Sequence, residues 1–316
     1  MRRTFYFVII GVLLLYAFAM PAHAATITVT NTNDSGPGSL RQALVDANDG
    51  DTIAFAVTGT IVLTSEGIVI DKDVTISGPG ADQLSIDGNQ AGSGCVFGIA
   101  NHNTVTISGL TVTKRDCGIY SDHAPLTVTN CVVTANKGHS SVGGIGINNL
   151  LGPTAPVERR NDCDSRKAYG DRPAGFAMLT VANCVISDNS GSGVENLSAI
   201  VTIIDSTISG NFADNSVGGF GQGGGIYTDG GKLPGDLTVI NSTISGNFAS
   251  LGGGGIDSGF SSLTILNNTI SGNSTGDPDY GSGGGIGASS VTLLNSTVTD
   301  NSAAICGGVC GGTVEI

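Results

Sequence analysis

Apolar and polar positions alternate in short runs along most of this chain, and the runs come in pairs. In Leu237-Thr-Val-Ile-Asn-Ser-Thr-Ile-Ser-Gly-Asn247, Leu237 and Val239 alternate with Thr238, while Ser242 and Ile244 alternate with Thr243 and Ser245. A period of two is that of a strand with one buried face. The two inward sets are offset by three residues rather than two, so the chain turns a corner near Ile240-Asn241. Ile226, after Gly223-Gly224-Gly225, supplies another wall. Three short strands joined by corners make one rung of a triangular coil.

The second run recurs six times, at 130–136, 183–189, 205–211, 241–247, 267–273 and 295–301, and a Gly-rich phrase ending in an aliphatic separates most copies. Repetition on this scale marks a solenoid, propeller or array. The opening strand recurs at Val74, Val105, Leu126, Leu179, Val201, Leu237, Leu263 and Val291, in steps of 31, 21, 53, 22, 36, 26 and 28 residues. A fixed minimum with turns that expand predicts an all-β fold, a single-stranded parallel β-helix. Its rungs stack about 4.8 Å apart, so some nine or ten of them span roughly 45 Å. Thr, Val and Ile suit that half-buried surface. The closing Asn of each copy (136, 189, 211, 247, 273, 301) is expected at a corner, bonding turn backbone and stacking on the next Asn. The Asn-x-Ser/Thr triplets at 241, 267 and 295 read as by-products of the repeat.

The start of the chain has a different pattern. Leu40, Ala43, Leu44 and Ala47 fall at helical spacing, Ser39 and Gln42 make a capping-box pair, and Asn48-Asp49-Gly50 ends the helix. One amphipathic helix within an N-terminal cap over 25–55 would close the apolar end of the solenoid, as terminal caps must. Before it, Arg2 and Arg3, an apolar run over 5–20 and Ala22-His23-Ala24 form an export signal at 1–24, so the mature chain is 25–316 and secreted or on the outer cell surface. At the other end Thr313-Val-Glu-Ile316 opens a further rung whose edge is free to pair with another chain. The 148–177 segment interrupts the repeat and holds Arg159, Arg160, Arg166, Lys167 and Arg172, which marks it as an inserted surface loop or a lid.

Charge narrows the partners. Without Arg2 and Arg3 the chain keeps 11 basic against 26 acidic residues, a formal charge of −15. Nucleic acid and anionic lipid need clustered positive charge, so neither fits. Seven cysteines leave at least one thiol outside intrachain pairs. Cys306 and Cys310 are close enough in sequence for a local bridge, and Cys95 and Cys117 lie one repeat apart.

Gly38-Ser-Leu-Arg-Gln-Ala43, followed by Asp51-Thr-Ile-Ala-Phe55 and Asp73-Val-Thr-Ile-Ser-Gly-Pro-Gly-Ala-Asp82, resembles the start of exported right-handed β-helix proteins of the CSLREA-domain type. Their downstream repeats also carry Gly-Gly-Gly-Ile and Asn-Ser-Thr-Ile-Ser-Gly-Asn. The resemblance covers residues 25–316, with Gly38 and Gln42 standing where that signature has Cys and Glu. Phe212-Ala-Asp-Asn215 and Gly224-Gly225-Ile226 are similar to repeats of polymorphic outer-membrane proteins. The resemblance implies a right-handed, pectin-lyase-like solenoid at a surface or secreted, and no particular reaction.

Catalytic motifs of pectin-lyase-like and polygalacturonase-like enzymes are absent: His139 sits in Gly-His-Ser, and no Asp-Asp occurs. Gly252-Gly-Gly-Gly-Ile-Asp257 imitates a calcium-binding β-roll, but Gly259 stands where a large apolar residue belongs. Asp277 and Asp279, in a Gly-rich turn, are the remaining calcium candidates. Overlaying Leu110 on Cys131 aligns Arg115 with Asn136 and Asp116 with Lys137. Lys114, Arg115, Asp122, His123, Lys137 and His139 are then expected at neighbouring corners, as a site for an acidic sugar or as a solvated surface with an Asp116–Lys137 pair. Two function classes follow. One is a non-catalytic secreted or cell-surface repeat protein that binds a polysaccharide or a host or cell-surface component, in adhesion or at the envelope. The other is a polysaccharide lyase or glycoside hydrolase acting through the 114–139 face.

Overall fold

One rung from the middle of the molecule shows how the coil is built. Strand Leu237–Ile240 turns a corner, continues as Thr243–Ser245, turns again, and completes the third face as Phe248–Ala249 and Ile256–Ser258. Each strand pairs in parallel with its counterparts in the rungs before and after: Leu237 with Val201 and Leu263, Ile244 with Ile208 and Ile270, Ile256 with Ile226 and Ile286. In this computed structural model the described residues are 24–90, 94–100, 102–148, 177–214, 221–229, 236–259, 262–276 and 283–316. The second-face strands form a 9-stranded parallel sheet, and the first and third faces join in a 21-stranded one. They join because Ile286–Leu294 runs through the corner, pairing with Ile256–Ser258 at its start and Leu263–Leu266 at its end. The molecule is a parallel β-helix whose regular elements, among the described residues, are strands and one short helix.

Register stacks like side chains inside the coil. Ile53, Ile76, Ile107, Val128, Val181, Ile203, Val239 and Ile265 form one buried column, each paired with the next. Burying each aliphatic contributes about 1.5–3 kcal/mol. Hydrogen-bonded residues accompany them. Asn211 Nδ2 donates to Asn247 Oδ1 at 3.0 Å, Asn247 Nδ2 to Asn273 Oδ1 at 2.9 Å and Asn273 Nδ2 to Asn301 Oδ1 at 2.9 Å. The same Nδ2 atoms donate back to Ile186, Ile208 and Ile244 carbonyls. The ladder also explains the glycine phrases. A Cβ on Gly225, Gly255 or Gly285 would lie about 3 Å from the Nδ2 of Asn247, Asn273 or Asn301, at 3.0, 3.0 and 2.9 Å respectively.

The amphipathic helix forms over Leu40–Asp46 and buries Leu40, Ala43 and Leu44 against the first rungs. Ser39 Oγ accepts from the Gln42 amide at 3.1 Å, but the Gln42 side chain donates to Asp46 Oδ1 instead of reaching back, so only half of the expected capping box exists. The helix ends at Ala47, one turn residue earlier than Asn48, and Lys72 Nζ caps the Leu44 and Val45 carbonyls. Residues 1–23 and 149–176, with the export signal and most of the insertion, lie outside the described residues. Around the insertion the rungs close without a register shift on their first and second faces: Leu126 pairs with Leu179 and Val132 with Val185. At the far end Val309–Glu315 pairs with Ile286–Thr292, leaving Val314 41% and Ile316 95% exposed. Among the described residues no helix is long and apolar enough to cross a membrane.

Candidate binding face

The corner between first and second faces is two residues long in rung after rung, for example between Ser108 and Thr111, Thr129 and Val132, and Ile240 and Thr243. Length varies instead at the two ends of the third strand, between Ala213 and Ile226 on one side and between Asp229 and Leu237 on the other. Expanding turns therefore flank the third face, where side chains pointing away from the core are drawn out of water.

Register lines those side chains up. Tyr120 pairs with Gly146, Gly146 with Glu195, Glu195 with Tyr227, Tyr227 with Asp257, and Asp257 with Gly287. Their chain neighbours Val194, Ile226, Ile256 and Ile286 belong to the core, so this column faces outward by strand alternation. Yet Glu195 is 1% and Tyr227 8% exposed. Beside Asp257 a cleft of about 780 Å³ opens, lined by Gln222, Leu251 and Gly252 on one side and Gly287, Ser289 and Cys310 on the other. Burial, opposed by the Gly253 N–H bond and reinforced by Asp229, pushes the Asp257 carboxyl up to about 6. Burial and then the charges of Asp229, Asp257 and Glu195 push the Tyr227 phenol well above its ordinary value, and its hydroxyl hydrogen-bonds Asp229. Toward the cleft the face offers the Asp257 carboxyl and glycine backbone.

Of the residues expected from the sequence to gather, Arg115 and Lys137 are neighbours on adjacent rungs, the Lys137 amide donating to the Arg115 carbonyl at 2.7 Å, but their side chains do not converge with Asp122 and His123. Arg115 does align with Asn136, but that position is the inward one of the repeat, so its side chain is buried and tied to the Ser65 and Gly88 carbonyls at 3.3 and 3.2 Å. Lys114 pairs with Asp87 at 2.7 Å. Asp122 and His123 pair with each other at 2.7 Å at the far end of Cys117–Asp122, a six-residue strand roughly 17 Å long. Asp116 accepts from the Gly94 amide instead of standing as a Lys137 pair, and Lys137 is exposed. The His139 side chain, Asp277 and Asp279 lie outside the described residues. Among the described residues no three His, Cys, Asp or Glu side chains are arranged to hold a metal. Cys95 and Cys117, register partners, are joined in a disulfide. Cys306 and Cys310 stand as free thiols rather than a local bridge, with Cys306 Sγ turned to the Val309 carbonyl at 3.1 Å.

The Glu195–Tyr227–Asp257 column escaped the sequence reading. Its trace is the polar residue directly after each glycine-plus-aliphatic phrase: Gly-Val-Glu195, Gly-Ile-Tyr227, Gly-Ile-Asp257.

A family model described as a right-handed β-helix region matches residues 168–314. A probable pectate lyase C of Neosartorya fischeri is 35% identical over 144 residues, which cover 37% of this chain and 34% of that protein. A probable pectate lyase C of Aspergillus fumigatus is 34% identical over the same length and coverage. The chain thus spans about a third of the length of these curated relatives, 34% in each. Among solved structures, pectate lyase Pel9A aligns at a TM-score of 0.43 and 16% identity, covering 88% of this chain and 79% of that one. An ORF18 protein of Geobacillus virus E2 aligns at 0.43 and 14%, covering 86% and 59%.

Proposed function

We propose that this chain is an exported, non-catalytic β-helix repeat protein whose third face binds a hydroxyl-rich, uncharged glycan at a cell surface. The observation that carries this reading is the half-buried Asp257 carboxyl, which lines an open cleft together with glycine backbone. Carboxylates and carbonyls accept hydrogen bonds from sugar hydroxyls, and the same charges repel an acidic chain. Lyase chemistry on an acidic sugar needs cations to hold the carboxylate and a base to take the proton. Of the described cations, Arg41 and Lys114 are paired with Asp34 and Asp87, Lys72 caps the helix and Arg115 is buried, which leaves Lys137 exposed.

The lyase reading is the second one, favoured by the similarity to proteins named probable pectate lyases. One set of assays separates the two. Affinity electrophoresis through gels of neutral glucan, xylan or galactan should retard the protein, while polygalacturonate should not. Asp257→Ala should abolish the retardation. Incubation with polygalacturonate, with calcium and without, should yield no unsaturated product. Release of that product would establish the lyase and end the binding reading.

A further inference from the structure

We propose that Cys131 and Cys184 close a second rung-to-rung disulfide, a staple across the base of the 149–176 insertion. The two residues hold the same place in successive rungs, because Val132, Val133 and Thr134 pair with Val185, Ile186 and Ser187. Neighbouring strands put such Cα atoms about 4.8 Å apart, inside the roughly 4.4–6.8 Å that a disulfide spans. The Cys95–Cys117 disulfide joins another such register pair, with Cα atoms 4.4 Å apart. Cys131 and Cys184 also turn the same way, since each Sγ bonds the carbonyl two residues back, at 3.2 and 3.3 Å. Both stand as free thiols in this structure, with the Cys131 amide meeting Cys184 Sγ at 3.5 Å.

The following rungs show what this position requires. Ser206 and Ser242 occupy it, each accepting from the amide of the rung before and donating to the carbonyl two residues back. A hydroxyl therefore meets every local need. Two cysteines stand instead in the two rungs that the insertion separates, 53 residues apart in sequence. Closing them holds those rungs together whatever the intervening segment does.

The step is thiol–disulfide exchange. One cysteine thiolate attacks a small-molecule disulfide such as oxidised glutathione, releasing one thiolate. The second cysteine, deprotonated, then displaces the other half, so the two cysteines together lose two protons and two electrons and the oxidant becomes two thiols. Hydrogen bonding to Cys184 and burial hold the Cys131 thiol protonated in the finished fold, which places the exchange before the rungs have fully closed.

The test refolds the full chain in a mixture of reduced and oxidised glutathione, then denatures it with iodoacetamide and no reductant. Peptide mass mapping should find Cys131 joined to Cys184, as it finds Cys95 joined to Cys117. Both cysteines alkylated while Cys95–Cys117 stays linked would overturn the proposal, and so would Cys131 or Cys184 joined to Cys163. The Cys131→Ser/Cys184→Ser double variant should fold, since serine serves at Ser206 and Ser242. Adding reductant should then shift its urea midpoint less than it shifts the wild type. An equal shift in both proteins would also count against the staple.

Discussion

Two positions in every copy of the seven-residue repeat lie in the left-handed region, and they explain its spelling. The first holds Asn or Asp, with φ of 53, 53, 48, 50, 57 and 47° at 130, 183, 205, 241, 267 and 295. The sixth holds Gly210, Gly246 and Gly272 at 63, 63 and 64°, Asp188 and Asp300 at 57 and 55°, and Ala135 at 54°. A Cβ there costs roughly 1–2 kcal/mol, which glycine avoids. Ala135→Gly should therefore stabilise the protein by about 1 kcal/mol, read as a higher urea midpoint. The seventh position works differently. Removing the Asn247 side chain leaves the buried Asn211 amide without its acceptor and Asn211 Nδ2 with the Ile186 carbonyl alone, so Asn247→Ala should cost about 2–3 kcal/mol. On the third face, Asp257 titrates near 6 in the folded protein, above its ordinary 3.8. The folded state then holds that proton more tightly, so this group's contribution is largest below pH 4 and is lost as pH rises through 6. Asp257→Asn keeps the acceptor for Gly253 and should flatten that slope, gaining about 2 kcal/mol at pH 7 in a pH series of melts.

The elements answer to two different forces. Strands such as Thr243–Ser245 are only three residues long and persist because the neighbouring rungs supply both hydrogen bonds and buried contacts. Ile244→Asp would set an unpaired charge among them and should unfold several rungs, seen as a large loss of cooperativity in a circular-dichroism melt. The helix depends on a polar clamp. Asp34 accepts from Thr64 and Ser65 and pairs with Arg41 at 2.8 Å. Burial would raise its pKa, but the bonds from Ser65, Arg41 and Thr64 win and hold it at about 2. The clamp is then fully present at neutral pH and fades as pH falls from about 4 through 2. Asp34→Asn should speed hydrogen exchange at the Ala43 and Ala47 amides at pH 7, and its difference from wild type should vanish near pH 2.

At the scale of the whole molecule, the coil tolerates length at some corners and not at others. Leu126–Thr129 meets Met178–Ala182 in register although the insertion lies between them. Deleting 152–175 should leave a soluble protein with an unchanged far-ultraviolet spectrum, because closure entropy changes by less than about 1 kcal/mol over such lengths. An insoluble product would show that the segment belongs to the core. The two ends of the coil also differ. Leu40, Ala43 and Leu44 cover the first rungs, whereas the described C-terminal strand leaves its outer edge exposed with Val314 upon it.

Rung geometry was determined by the sequence alone, because a period of two broken by an offset of three is a local signal repeated six times, and each copy corrects the reading of the others. The same pattern marked Leu237, Val239, Ser242 and Ile244 as inward, and all four are buried. It was equally able to mark Arg115, whose alignment with Asn136 was legible; charge suggested the surface, and the repeat position put it inside. Asp122 and His123 were close in sequence but at another corner, a separation visible only once Cys117–Asp122 was known to be a strand. The third-face column was decided by tertiary structure. Glu195, Tyr227 and Asp257 are about thirty residues apart, and unequal turns hide their common register from any fixed period. Their burial, and the shifted proton affinities that come with it, arise from what the flanking turns place over an outward face, and strand alternation carries no information about that.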